Sequence, residues 1–260
     1  MGEPPLSQCG LFIRYAEPWP DLPLTLFAAA LGHGSTVSEM QPDPLLGDFF
    51  GSREDAVYRV EPANEADRGP WWLLAHRGCG LAWDGEAYPG WSQASPYVLA
   101  RLPMLEKLVP ERRIGEVLLR YIDVFEAERA SLLHERLHWP AAQGVSVLPL
   151  MSGDVPFRLT DRTRGRIQYR IEKPVLEDED GARGAHVHAI VTTAVFADLP
   201  NDQAIHPSAA SELAPVLQNL HTWAKRLFWD LLKPAYREAV SEQLFSAEER
   251  EMFAHDGEKA

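Results

Sequence analysis

His134-Glu135-Arg136-Leu137-His138 has the spacing H-E-x-x-H. On a helix, histidines four apart share a face and can both bind zinc, while the glutamate activates the metal-bound water. Three features oppose that chemistry. Arg136 sets a cation beside the metal position, and Pro140 stops a helix two residues after His138. The downstream segments read as strands, so no helix offers the third ligand that a catalytic zinc requires. The plainer alternative is a short surface helix from Glu126 to His138 whose histidine pair is incidental. His186-Val187-His188 alternates along a strand, which points both rings to one face. Either could donate a third ligand to a zinc centre at His134 and His138, although such pairs more often sit on the solvated face of a sheet. His33, in Gly32-His33-Gly34-Ser35, stands where an RNA-processing enzyme of ferredoxin-like fold could keep a general base. The glycine-rich phosphate loop of such enzymes is missing.

Arg158, Arg162, Arg164, Arg166 and Arg170 fall along one hairpin. They form a basic strip for phosphate or an acidic partner, or arginines that pair with neighbouring carboxylates and blunt a sheet edge; the second reading is preferred. The rest of the chain disfavours nucleic acid, because 38 Asp+Glu against 25 Lys+Arg leave a net charge of −13. Of the 8 tryptophans, Trp71, Trp72 and Trp83 suit a core. Trp19 and Trp91, flanked by prolines and glycines, are expected to be partly exposed and could anchor a protein partner. No phosphate-binding loop, dinucleotide fingerprint, nucleophile elbow or C-x-x-C is present, so no cofactor and no catalytic residue is assigned.

The elements that must position these residues form an α+β pattern. Cys9 to Glu17, Ala56 to Glu61, Trp71 to His76, Cys79 to Asp84 and Glu116 to Phe125 read as strands. Leu22 to Leu31 and a segment opening at Ser95-Pro96 read as helices, with Pro103 as a local conflict. Strands and helices in this order match a ferredoxin-like half over residues 1–125. A connecting segment, 126–144, leads to a second antiparallel sheet. Its strands are expected at 145–151, 155–161, 165–173 and 185–196, with an acidic turn at 177–181. A long helix over 216–232, with its Leu220, Trp223 and Leu227 stripe inward, covers that sheet and closes the 145–247 half. Residues 40–55 read as an irregular connection, and the polar tail 248–260 as frayed. The two halves are expected to share one core. Two cysteines, Cys9 and Cys79, point to a reducing compartment, and no apolar run is long enough to span a bilayer, so the expectation is a cytoplasmic protein.

Three stretches carry a family resemblance: Pro4 to Arg14 (PPLSQCGLFIR), Leu118 to Asp123 (LLRYID) and Leu220 to Pro234 (LHTWAKRLFWDLLKP). Their order and separation resemble a sporadically distributed bacterial family of uncharacterised proteins of about this length. The resemblance implies no functional residue; its patchy distribution implies an accessory module, such as a component of a defence or conflict operon. The leading expectation is therefore a non-enzymatic interaction or accessory protein with a protein partner or self-association. A zinc hydrolase built on His134, Glu135 and His138 is the first alternative. An RNA-binding or RNA-processing ferredoxin-like protein is the second.

Overall fold

The structure, a computed structural model, describes residues 6–18, 36–41, 43–50, 57–61, 70–108, 112–127, 136–138, 152–172, 187–200 and 204–257. Among them are the strands β1 (Leu6–Tyr15), β2 (Thr36–Met40), β3 (Val57–Glu61), β4 (Trp71–Ala75), β5 (Gly78–Asp84), β6 (Ile114–Ala127), β7 (Ser152–Arg158), β8 (Thr163–Glu172) and β9 (Val187–Asp198). The helices are α1 (Pro44–Phe50), α2 (Trp91–Leu108), α3 (Ala210–Leu231), α4 (Pro234–Leu244) and α5 (Ala247–Gly257). The α+β class expected from the sequence holds.

The two expected sheet regions are one antiparallel sheet, ordered β2-β3-β4-β5-β1-β6-β9-β8-β7. Its joint is β6, paired with β1 on one side and with β9, from Glu116↔Asp198 to Ala127↔Val187, on the other. The run β6-β1-β5-β4 has the strand order of a ferredoxin-like unit. The helix expected at 22–31, the strand at 145–151, the acidic turn at 177–181 and most of the 126–144 connection lie outside the described residues.

Alternation along the strands gives the sheet two buried faces. Cys9, Leu11 and Ile13 of β1 share a core with Val117 and Leu119 of β6, Val191 and Val195 of β9, and the apolar stripe of α3. That stripe is Leu213, Leu217, Leu220, Ala224, Leu227 and Leu231, all buried, with Trp223 partly buried beside it. Each fully buried leucine contributes about 1.5–3 kcal/mol of transfer free energy. On the other face Phe12 packs with Leu73, Leu118, Phe196 and the buried residues of α1.

Several expectations are corrected. Within residues 40–55, α1 forms because Asp43 accepts from the Leu46 N–H at 3.0 Å and Pro44 opens the first turn. Leu45, Leu46, Phe49 and Phe50 then bury its inner side. Helix α2 begins at Trp91 rather than Ser95. Gly90, at φ 85°, turns the chain, and its carbonyl accepts from Ala94 N at 2.9 Å. Helix α3 begins at Ala210 rather than 216, with Pro215 inside it. The expected surface helix from Glu126 to His138 does not reach either expected end, although Arg136 is helical. Glu126 belongs to β6, and Leu137 makes an antiparallel bridge with Leu232. Burial drives that bridge, since Leu137 is fully enclosed in the core.

The tail is not frayed over 248–257: α5 docks by Phe253, which packs against Trp229 and Phe245 with ring centroids 5.8 and 6.1 Å away. Phe253→Ala should therefore cost about 3–5 kcal/mol in a denaturant titration, the range for a buried aromatic. A loss below about 0.5 kcal/mol would mean an undocked tail.

Candidate functional site

Charged side chains of the helix-covered core gather around one cavity. Strand alternation puts Tyr121 and Asp123 of β6 in phase with Val117, Leu119 and Phe125, and Thr193 of β9 in phase with Val191 and Val195. Opposite them, His221, Ala224, Lys225 and Phe228 occupy one side of α3 at helical spacing. A cavity of about 330 Å³ lies between, closed by Tyr88 and Trp91 at the start of α2 and by Leu244 and Glu249 of the last two helices.

A hydrogen-bonded chain runs along this cavity. Tyr121 Oη lies 2.9 Å from His221 Nδ1, and His221 Nε2 lies 3.5 Å from Glu249 Oε1. Burial holds the His221 pKa below its ordinary value, so the neutral ring accepts at Nδ1 and directs its Nε2–H at the glutamate. Tyr121 is then the donor to His221, and Tyr88 Oη, 3.4 Å away, the donor to Tyr121. Trp91 stacks on His221 at 4.5 Å with a 4° interplanar angle and gives its indole N–H to Gln218 at 2.9 Å. The ring is thereby fixed from its face as well as from its edges.

Glu249 is held by α5 itself. Ser246 Oγ accepts from Glu249 N at 3.1 Å, and Glu249 Oε2 accepts from Ser246 N at 2.7 Å, a reciprocal capping box. Burial pushes the Glu249 pKa up, but the His221 hydrogen bond and the Lys225 charge outweigh it and hold the carboxyl at about 2. Lys225 gives one N–H to Leu244 O at 2.6 Å and sits 4.0 Å from Glu249 Oε2. Burial lowers its pKa.

Asp123 behaves in the opposite way. Burial pushes its pKa from 3.8 to about 7, against the pull of Lys225. Thr193, 1% exposed, has its Oγ1 buried without a hydrogen-bond partner. A buried hydroxyl left unpaired costs about 1–3 kcal/mol. Cys9, behind Tyr88 and Tyr121, has its thiol pushed up to about 12 by burial and is no nucleophile at neutral pH.

None of the described histidines and arginines singled out in the sequence lines this cavity. His134, Glu135, His33, His186 and Trp19 lie outside the described residues. His138 is exposed, and its N–H donates to Leu231 O at 2.7 Å beside the Leu137 bridge, so its backbone does not continue a metal-binding helix. His188 lies 3.4 Å from Glu126. No group of three metal-ligating side chains occurs among the described residues. Of the arginine strip, Arg158 bonds Asp161 at 3.0 Å, Arg164 bonds Glu116, and Arg166 binds both Asp154 and, at 3.4 Å, Asp48. Trp71, Trp72 and Trp83 are core residues and Trp91 is partly exposed, as expected.

A larger hollow, about 800 Å³, lies on the opposite sheet face between Phe49, Phe196 and the arginine strip. Arg158, Arg164 and Arg166 there are already paired with carboxylates. The smaller cavity has the unpaired hydroxyl and the unneutralised carboxyl, and is the better site. A signal for it existed in the sequence: Asp123 falls in phase with core positions, and His221 and Lys225 stand four apart inside an apolar stripe.

The fold and site define an α+β protein with a polar pocket between a sheet and its covering helix. No family model matches the chain, and no curated protein matches it.

The Asp123 shift has a stability consequence. Its folded pKa is raised, so the unfolded state loses its proton first, and a penalty accumulates from about pH 4 and levels off above about pH 7. Asp123→Asn should therefore be more stable than the parent, by a margin growing over that window to on the order of 2–4 kcal/mol at 1.36 kcal/mol per pH unit. Denaturant midpoints of both proteins from pH 4 to 8 check this, and a pH-independent difference would contradict it.

Proposed function

We propose that the protein is a non-enzymatic accessory protein that acts by holding a small ligand in the pocket under α3. One observation carries this reading: Thr193 Oγ1 is buried and unpaired where Asp123, Lys225, His221 and Glu249 converge on an otherwise apolar cavity. Natural cores satisfy such groups, and pockets with a few convergent polar groups are where small molecules bind. Binding is favoured over turnover because the candidate nucleophile, Cys9, is held as a thiol, and His221 and Glu249 are engaged with each other. Trp91, which is partly exposed and could anchor a protein partner, also walls the pocket. The accessory role still implies a protein partner or a second copy.

Protein-observed NMR with a library of cavity-sized fragments tests the reading. Shifts should concentrate at Tyr121, Thr193, His221 and Ala224. Ala224→Leu, which fills the cavity from α3, should abolish them while leaving the rest of the spectrum folded. A library in which no fragment perturbs these residues at millimolar concentration would contradict the proposal.

A further inference from the structure

We infer that the pocket's ligand is a small organic ammonium ion with an apolar body, its charge set against Asp123. This rests on the ligand-binding reading above and adds the chemical class. The cavity contains two carboxyl groups, Asp123 and Glu249, and a single cation, Lys225. Lys225 is committed: it donates to Leu244 O at 2.6 Å and pairs with Glu249. The neighbouring imidazole, His221, is engaged between Tyr121 and Glu249. Among the described residues Asp123 therefore shares the one cavity cation, Lys225, with Glu249, and the site is one positive charge short.

The walls agree with that charge. Tyr88, Trp91, Tyr121 and Phe228 border the same space. Aromatic walls combined with a carboxylate favour organic cations, since ring faces attract ammonium groups by about 0.5–2 kcal/mol each. A bare metal ion finds no third ligand among the described residues and would meet Lys225. An anion would meet two carboxyl groups. A neutral ligand would leave Asp123 to be neutralised by a proton alone, whereas an ammonium ion displaces that proton and supplies the missing charge.

Binding should accordingly release a proton. The titratable groups around Asp123 are Cys9 and Tyr88 on one side, Tyr121 beside it on β6, His221 and Lys225 on α3, and Glu249 on α5. Cys9, Tyr88 and Tyr121 are held protonated by burial, His221 neutral and Glu249 ionised. Loss of a proton from Lys225 would favour a cationic ligand too.

The test is calorimetric titration of the full chain with benzyltrimethylammonium, benzyl alcohol and benzoate at pH 6 and pH 8. The permanent cation should bind at least tenfold more tightly than either isostere. Its affinity should rise roughly tenfold from pH 6 to pH 8, as the competent, ionised fraction of Asp123 grows. Asp123→Asn, which keeps the shape and should fold, should lose most of the cation's affinity and its pH dependence. Benzyl alcohol or benzoate binding as well as the cation, or cation affinity falling with pH, would overturn the ammonium assignment and leave the pocket standing. If none of the three binds at millimolar concentration, both the assignment and the ligand-binding reading are overturned.

Discussion

A carboxylic acid held out of water on the joining strand is the constraint around which this molecule is arranged. Strand β6 is bonded along both edges and covered by α3, so a side chain on its helix-facing side has no route to bulk solvent except through the cavity. Asp123, 6% exposed, occupies that side. Burying an ionised carboxylate without a partner is prohibitive, so the group must be protonated, paired or bound to something. Lys225 could have paired with it, but α5 presents Glu249 to Lys225 and His221 instead. The last helix of the chain thus decides the state of an acid at its centre. The capping box that starts α5 and the Phe253 contact that docks it support the pocket, although Ser246 and Phe253 do not line it.

The opposite face shows how the same sheet handles charge when buried groups find partners of opposite sign. Glu116, 1% exposed on β6, accepts from both Arg14 and Arg164, and Arg120 donates to Asp43 and, at 2.7 Å, to Gln8 Oε1. Burial still pushes Glu116 up to about 7, the two arginines opposing it. Breaking such a pair strands a buried charge, which is why these partners are costly to remove even though the pairs themselves add little net stability. In the arginine strip, Arg164 and Arg166 are paired across strands in this way, and Arg158 pairs locally with Asp161.

Much of the fold was legible in the residues. Runs of β-forming residues bounded by turn signals marked β1, β4, β5 and β6, and the 3–4 spacing of leucines marked α3. Helix α1 was missed because seven residues carry only two turns of period, yet Asp43-Pro44 before Leu45 and Leu46 was a start signal. Ser246 three residues before Glu249 was another, in a tail whose polarity suggested fraying. The H-E-x-x-H motif drew attention by its pattern alone, whereas the pocket depends on residues from both halves, Tyr121 and Asp123 with His221, Lys225 and Glu249. Such a constellation is visible in sequence only as charged residues standing in phase with a core. Which of them meet is decided by the register of β6 on β9 and by the docking of α3.

The most direct test of this account is the carboxyl carbon resonance of Asp123, followed by NMR across pH 3 to 9 in ligand-free protein. An apparent midpoint near pH 7 is expected, with the Glu249 resonance unchanged above pH 4. An Asp123 midpoint near 4, the value for a carboxyl in water, would contradict the account. The acid would then be solvated and the pocket would lack the missing charge that defines it.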